Sequence, residues 1–328
     1  MGMPAIYLPV MPKGQIGWWN SKSPFKYPYI LAAYPRFREV RNLRKEYDID
    51  SDVVLYCDSG GYSILTGTAT VDPYELADFY NRSGVDIGMT LDFPPYIDRH
   101  KSAVAEFDKK LELTVKASKV LVDNVKSSVQ LYACIHGINE KQYEIWRQSL
   151  ELIHDWFGLA MAVAPLNDPH AVLRLVHYLE TIRNEKPVHF FALGDAVCFL
   201  LASRYANRRG LFVSVDSAAA VLSARSGARY YTIMGKPVLV GERQEDALRV
   251  IPDCICPVCS RYDKEMIKRN SDLLALHNLY ILIWKYKFIN SISTERYEVI
   301  KTILPEAIPY VKALDNILEK RGGLWDYV

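Results

Sequence analysis

Residues 53–61 read Val-Val-Leu-Tyr-Cys-Asp-Ser-Gly-Gly, and their pattern is the strongest indication of the fold in this sequence. An apolar run of strand length leads into a carboxylate, a hydroxyl and a glycine pair, a pattern typical of a buried parallel strand that opens into a functional loop. Similar runs, rich in β-branched and aromatic residues, recur through the first two thirds of the chain. Together they cover residues 5–10, 29–34, 53–58, 87–92, 129–136, 157–164, 188–194 and 211–216.

Helical patterns separate most of these runs. They cover residues 73–81, 102–125, 140–154, 169–183 and 196–206. The repeated alternation of strand and helix predicts an α/β fold, a (β/α)₈ TIM barrel. A doubly wound open sheet is the alternative.

The last third of the chain has a different pattern. Residues 236–241 indicate a short strand or hairpin, a cysteine cluster follows, and helical patterns fill residues 263–287 and 294–320. We therefore expect a barrel over residues 1–245, an inserted zinc-binding subdomain over 246–290, and closing helices over 291–328.

The composition limits the classes of protein. The chain has 328 residues, of which 50% are hydrophobic and 24% charged, so a disordered or low-complexity protein is excluded. The formal net charge is +2, and any polyanion partner would have to meet a local basic patch. Neither a targeting segment nor an apolar run long enough for a bilayer is visible. We expect a cytoplasmic protein without a membrane partner.

Three of the six cysteines crowd into one short loop. Cys254, Cys256 and Cys259, followed by His277, supply four ligands that suit tetrahedral Zn²⁺ with no open position, so the sequence predicts a structural zinc site in a reducing compartment. The other three cysteines lie within apolar runs, where packing is their expected role: Cys57, Cys134 and Cys198.

Polar residues end several of the predicted strands. Asp58 ends the run that opens this section, and the later runs end at Asp92, at His136-Gly137 and at Asp216. Any one of these could simply mark a strand entering a loop. Because the carboxyl ends of barrel strands meet at one mouth, several in register favour a catalytic site.

These motifs resemble the tRNA-guanine transglycosylases. The resemblance rests on residues 58–62, on Asp216-Ser217 after a strand, and on the Cys-x-Cys-x₂-Cys set followed by His277-Asn278. Residues 188–194 also match and are more similar to the archaeal branch than to the bacterial one. The resemblance implies a (β/α)₈ barrel with a zinc subdomain that exchanges guanine in a polynucleotide for a 7-deazaguanine.

The resemblance also implies catalytic roles. Asp216 matches the nucleophile that forms a covalent glycosyl intermediate, and Asp58 matches the general acid and base. Two carboxylates suit exchange at a sugar carbon with retention of stereochemistry. Asp92 matches the carboxylate that reads the guanine-like edge of the base.

Further positions match the base pocket. Tyr62 and Phe191 correspond to residues that enclose the base, and His136-Gly137 stands where the family has Gln-Gly, a departure that puts base preference in doubt. The resemblance also implies that the backbone approaches the base at three consecutive small residues, namely Ser59, Gly60 and Gly61.

The sequence does not decide whether the polynucleotide substrate is DNA or tRNA. Archaeal tRNA enzymes of this kind carry further C-terminal RNA-binding domains that this sequence lacks, which favours DNA slightly over tRNA, with a base such as 7-cyano-7-deazaguanine (preQ0). A non-catalytic accessory subunit is a further alternative, disfavoured because the three carboxylates are retained, and an unrelated zinc hydrolase would need an open metal position. A homodimer formed near the zinc subdomain is expected from the family. Candidate phosphate contacts form a basic stretch: Arg261, Lys264, Lys268 and Arg269.

Overall fold

A computed structural model describes residues 4–13, 17–96, 104–227, 229–232, 237–239 and 253–319. The strands within this range are β1 (Ile6–Pro9), β2 (Tyr29–Ala33), β3 (Val54–Asp58), β4 (Ile87–Met89), β5 (Gln130–Ile135), β6 (Gly158–Ala162), β7 (Val188–Phe191), β8 (Val213–Ser217), β9 (Arg229–Tyr231) and β10 (Pro237–Leu239). The α-helices are α1 (Tyr34–Phe37), α2 (Leu43–Glu46), α3 (Gly61–Leu65), α4 (Pro73–Ser83), α5 (Phe107–Asn124), α6 (Glu140–Glu151), α7 (Pro169–Thr181), α8 (Ala196–Arg209), α9 (Ala219–Gly227), α10 (Pro257–Arg261), α11 (Lys264–Arg269), α12 (Ser271–Ile292), α13 (Tyr297–Ile303) and α14 (Ile308–Glu319).

Strands β1 to β8 form one parallel sheet that closes into a barrel. Each strand from β2 to β7 pairs with the next one in the chain, and β8 pairs with β1. Val10 and Leu31 bridge the remaining gap, and the Met11 amide donates to the Leu31 carbonyl at 2.8 Å. The (β/α)₈ barrel is confirmed. The doubly wound alternative is wrong, because its strand order would reverse within the sheet.

Alternate strand residues point into the barrel and fill its lumen with a cluster of buried side chains. The members of this cluster are Leu8, Leu31, Tyr56, Ile87, Met89, Tyr132, Cys134 and Ala160. The same alternation carries the next inward position of several strands to the carboxyl-terminal mouth. Asp58 follows Tyr56 by two residues and His136 follows Cys134 by two, so both lie at that mouth.

Some elements are shorter than their sequence patterns. Strand β4 ends at Met89, because the side chain of Thr90 accepts a hydrogen bond from the Cys134 amide at 2.9 Å in place of a backbone carbonyl. The helical pattern over 263–287 divides at Asn270, whose side chain caps α12 by accepting from two amides. The pattern over 294–320 divides before Pro305. Residues 240–252, which the hairpin and subdomain predictions include, lie outside the described residues.

The C-terminal helices pack against the barrel helices. Helix α12 lies along α8 and α9, and Asn290 donates to the Ala5 carbonyl at the start of β1 over 2.8 Å. A buried bidentate pair joins α8 to α14, with both Arg204–Asp315 distances at 2.7 Å. Such a pair fixes orientation more surely than it adds stability.

Candidate active site

The predicted site residues lie at the carboxyl ends of the barrel strands. Asp58 ends β3, Asp92 follows β4, His136 follows β5, Phe191 ends β7, and Asp216 is the penultimate residue of β8. In a barrel of parallel strands these ends share one face, on which catalytic residues of such folds are found. The structure therefore places the predicted residues at a common mouth.

Asp92 is held by two donors from neighbouring strands. The Ser59 hydroxyl donates to Oδ1 at 2.9 Å, and His136 Nε2 lies 2.7 Å from Oδ2. All three side chains are buried, with Asp92 only 4% exposed. A buried carboxylate must be compensated by such contacts, and each of its oxygens keeps a further lone pair for a ligand.

The two glycines after Ser59 are required by close packing. A β-carbon on Gly61 would lie 2.3 Å from Asp92 Oδ2 and 2.4 Å from Oδ1, so only glycine leaves room for the carboxylate. Gly60 has φ of 101°, a left-handed conformation, and a β-carbon there would meet the ring of Pro35 at 2.3 Å. The Gly-Gly pair thus allows the chain to turn against Asp92.

His136 lies in an aromatic pocket that sequence reasoning missed. The rings of Tyr96 and Trp146 pack edge-on against the imidazole at 5.5 and 5.1 Å. The Tyr96 hydroxyl is 3.4 Å from His136 Nδ1 and accepts from the Gly137 amide at 3.3 Å. The pocket fixes the imidazole ring with Nε2 toward Asp92.

Asp58 and Tyr62 are more accessible than Asp92. Asp58 is partly buried, and its Oδ1 accepts from the Gly60 amide at 3.1 Å. Tyr62, on the short helix α3, is 54% exposed. A partly buried carboxylate at the mouth can exchange protons with a ligand, and an exposed ring beside it can cover one face of that ligand.

Asp216 has two neighbours on β7 and the loop that follows. The Ala192 amide donates to Oδ1 at 2.6 Å, and His189 Nε2 lies 3.3 Å from the same oxygen. The ring of Phe191 lies edge-on to the imidazole of His189, with 4.9 Å between the ring centroids. Sequence reasoning missed His189, although its spacing of two from Phe191 was a signal for the same face of the strand.

Two buried tyrosines support the loops around Asp216. The Tyr7 hydroxyl donates to the Ser217 carbonyl at 3.0 Å, and that of Tyr286 donates to the Gly194 carbonyl at 2.8 Å. Burial raises the pKa of both phenols well above the usual value, so they remain protonated donors. These hydrogen bonds join the end of β8 to β1, and the loop after β7 to helix α12.

The four predicted metal ligands meet beside the barrel. The ligand atoms of Cys254, Cys256, Cys259 and His277 all lie within 4.8 Å of one another. His277 Nδ1 is 3.2 Å from the Cys256 sulfur and 3.3 Å from that of Cys259. A closed set of three thiols and one imidazole fits a structural Zn²⁺ ion.

Further residues orient this cluster. His277 Nε2 lies 2.8 Å from the Tyr231 carbonyl, which fixes Nδ1 as the nitrogen free for a metal. The ring of Tyr230 stacks on the imidazole at 4.0 Å. Asn278 accepts from the Tyr231 amide at 2.8 Å and donates to the Arg229 carbonyl at 2.7 Å. The His-Asn pair therefore joins helix α12 to β9.

The remaining cysteines lie in the core, as their sequence positions predict. Cys57, Cys134 and Cys198 are fully buried. Burial raises the pKa of each thiol above its usual value. These thiols are thus poor nucleophiles and metal ligands at neutral pH.

The basic stretch beside the cluster is largely engaged within the protein. Lys264 forms an ion pair with Asp253, while Lys268 and Arg269 lie 4.0 and 3.9 Å from the two carboxylate oxygens of Glu265. The Arg261 guanidinium donates to the Lys22 carbonyl at 3.0 Å. A role in phosphate binding stays a prediction. Separately, no helix among the described residues is both long and apolar enough to cross a membrane.

Fold and site together define a (β/α)₈ barrel with carboxylates at its mouth and a Cys₃His cluster at its side. The sequence profile of the queuine tRNA-ribosyltransferase (TGT) family matches residues 46–302. The chain belongs to this family, and the resemblance found in the sequence is confirmed.

Archaeal proteins are among the relatives. The chain is similar to the tRNA-guanine(15) transglycosylases of Methanococcus aeolicus, with 33% identity over 270 residues, and of Methanocaldococcus jannaschii, with 34% over 275. Each match covers 77% of this chain and 39% of the relative. The protein of that name from Thermococcus onnurineus is 30% identical over 267 residues, which is 77% of this chain and 43% of the relative. The chain thus spans about two fifths of the length of these curated relatives.

Proposed function

We propose that this protein is a pentosyltransferase that exchanges guanine in tRNA for a 7-deazaguanine base such as preQ0. The observation that carries the proposal is the set of three carboxylates at one barrel mouth, of which Asp92 is buried between donors and Asp58 and Asp216 are partly buried. Membership of the TGT family supports the reaction class. The names of the archaeal relatives support tRNA over DNA.

Asp216 is the proposed nucleophile. Its carboxylate attacks C1′ of the target nucleotide from the face opposite the base, and the bond from C1′ to N9 of guanine breaks. Asp58 donates a proton to the departing base and later accepts one from the incoming base. Two successive inversions at C1′ retain the stereochemistry of the sugar.

Asp92 is the proposed base reader. Ser59 and His136 occupy one position on each of its oxygens and leave the others for the N1–H and amino group of a guanine-like base. A base without these donors would leave a buried carboxylate poorly compensated, so the pocket would reject it. The target nucleotide must leave its stack to enter, with Tyr62 and Phe191 proposed to cover its faces.

The Cys₃His cluster is proposed to hold one structural Zn²⁺. When bound, the metal supplies a cross-link between the loop around Cys256 and helix α12, with no part in bond breaking. Asn278 holds helix α12 against β9 through hydrogen bonds to the β9 backbone, and Tyr230 of β9 stacks on His277. The boundaries of the barrel, the zinc subdomain and the closing helices, and a homodimer near the cluster, are likewise proposals.

A side-by-side exchange assay tests the proposed function. Transfer RNA, single-stranded DNA and duplex DNA, each carrying radiolabelled guanine, are incubated with the protein and preQ0. We expect tRNA alone to lose label. The variant Asp72→Asn, which changes an exposed helix cap to an equally good one, serves as the control and should behave as wild type.

Other outcomes would contradict parts of the proposal. Loss of label from DNA alone would overturn the choice of tRNA. No exchange in any polymer by folded, zinc-loaded protein would overturn the enzymatic function and favour an accessory subunit.

A further inference from the structure

His189 lies in the lumen beneath the mouth, next to the proposed nucleophile. It is fully buried on β7, and in the parallel register it pairs with Ser214, two residues before Asp216 on β8. Both strands therefore direct their side chains to the same interior face at this level. A polar ring at such a depth requires a reason other than packing.

The two nitrogens of His189 face different partners. Nδ1 lies 3.0 Å from the Ser214 hydroxyl, within hydrogen-bond distance. Nε2 lies 3.3 Å from Asp216 Oδ1 without meeting hydrogen-bond geometry, and this buried nitrogen has no hydrogen-bond partner within the described part of the chain. The edge-on ring of Phe191 holds the imidazole in this orientation.

The second donor near Asp216 comes from a strained position. The Ala192 amide reaches Oδ1 at 2.6 Å, and Ala192 has φ of 57°, a left-handed conformation that a non-glycine residue adopts at a cost. The contacts described for this carboxylate therefore fall on Oδ1.

We propose that His189 is a positioning residue that directs Asp216 Oδ2 at the sugar and stabilises the carboxylate as it is released from the covalent intermediate. The proposal rests on the proposed function, in which Asp216 is the nucleophile. A neutral His189 protonated on Nε2 accepts from Ser214 at Nδ1 and offers its N–H to Oδ1. Nε2 and Oδ1 are 3.3 Å apart, and among the residues that the structure describes no hydrogen-bond partner competes for Nε2, so this pair can form the bond.

The consequence follows from the two steps of the exchange. In the first step Oδ2 bonds to C1′, the C1′–N9 bond breaks, and its electron pair leaves on a base that takes a proton from Asp58. In the second step N9 of the incoming base attacks C1′, the Oδ2–C1′ electron pair returns to Asp216, and the N9 proton passes to Asp58. Donors on Oδ1 stabilise the charged carboxylate more than the neutral ester, so they favour breakdown of the covalent intermediate.

Three variants test the role of His189. His189→Leu removes both nitrogens, His189→Gln retains a donor at a similar reach, and Ser214→Ala removes the partner of Nδ1. Formation of the covalent adduct is measured in a single turnover on tRNA, and its breakdown is measured after addition of preQ0. Melting temperature and zinc content establish that each variant is folded.

We expect His189→Leu to slow breakdown by about 10- to 100-fold, which is the effect of a hydrogen bond to a charged group that would form as the carboxylate is released. The adduct should therefore accumulate at steady state, while the preQ0 concentration that gives half-maximal breakdown in a single turnover changes less than about twofold. His189→Gln should restore the rate of breakdown to within about threefold of wild type. The rate in Ser214→Ala should lie between the rates of His189→Leu and His189→Gln.

A purely structural role would give a different result. If folded His189→Leu breaks down its adduct at the wild-type rate, or if glutamine fails to rescue, the proposal is overturned. Should His189→Leu not fold, a wild-type rate in Ser214→Ala overturns it instead. Wild-type protein that forms no adduct with any polymer would refute the proposed function, and with it this role for His189.

Discussion

The barrel mouth and the Cys₃His cluster both gather polar side chains, but they draw on the chain differently. Three of the four cluster residues lie within six positions, and the fourth is on the helix that follows. The mouth takes Asp58, Asp92 and Asp216 from strands spread over most of the barrel. One site is therefore encoded locally, and the other exists only when the whole sheet has closed.

The two regions also differ in how their polar groups are satisfied. The cluster is closed, because His277 and the thiols face one another and the second imidazole nitrogen meets a backbone carbonyl. The mouth keeps a partly accessible carboxylate at Asp58 and, on His189, a buried nitrogen for which the described ranges offer no hydrogen-bond partner. The closed set of the cluster suits a structural metal ion, whereas a buried nitrogen that still lacks a hydrogen bond suits a site that changes during a reaction.

The largest expected effect is on the cluster. Cys256→Ser should abolish zinc binding and lower the melting temperature by at least about 10 °C, because binding a structural zinc contributes much of the local folding free energy. Metal content by mass spectrometry and a thermal melt measure this. Cys198→Ser, at a buried thiol outside the cluster, is the control and should keep its zinc. Stoichiometric zinc in Cys256→Ser would contradict the assignment of Cys256 as a zinc ligand.

The reverse pattern is expected at the mouth. Asp58→Asn should lower exchange by about 10²- to 10⁴-fold through loss of the general acid, with a melting temperature within about 2 °C of wild type. Asparagine can still accept from the Gly60 amide, so the loop should persist. The exchange assay with Asp72→Asn as control gives the measurement, and an active Asp58→Asn would remove Asp58 from the mechanism.

Substitutions of His136 test whether this residue supports Asp92 in recognising the base. His136→Ala leaves a buried oxygen of Asp92 without its donor, and we expect the catalytic efficiency for preQ0 to fall by about 10- to 100-fold. His136→Gln retains a donor and should stay within about fivefold of wild type. Steady-state kinetics with varied preQ0 distinguish the two variants. Equal activity of both would mean that His136 does not support Asp92.

The smallest expected effect concerns the space beside Asp92. Gly61→Ala places a methyl group 2.3 Å from Asp92 Oδ2, so the carboxylate must shift. We expect the KM for preQ0 to rise about fivefold to tenfold while the fold persists. Ser63→Ala, on the same short helix, is the matched control. An unchanged KM in Gly61→Ala would show that the pocket tolerates the shift.

The sequence predicted the barrel better than it predicted contacts between strands. Buried apolar runs located all eight barrel strands, and the cysteine spacing located the cluster, because both signals are local. The short helix α3 after Gly60 and the cap at Asn270 were missed, since each depends on a single turn. The approach of His136 to Asp92 follows from lateral strand packing, which a one-dimensional pattern does not contain. His189 lies within the apolar run 188–194, and apart from its spacing to Phe191 no feature of the sequence distinguished it from the other residues of that strand.

The DNA preference shows a further limit of sequence reasoning. It rested on where the chain ends, and the relatives in the comparisons are named for tRNA. The functional alternative that the sequence placed second, tRNA, is therefore the better supported one. The catalytic roles of the three carboxylates stay predictions, although all three lie at the carboxyl ends of barrel strands.

The most direct test of the central claim is the covalent attachment of the polynucleotide to Asp216. Wild-type protein and Asp216→Asn are incubated with tRNA, denatured, digested and analysed by peptide mass spectrometry. We predict a nucleotide adduct on the peptide that contains Asp216 in the wild type and no adduct in the variant. An adduct on another residue, or one that persists in Asp216→Asn, would contradict the account.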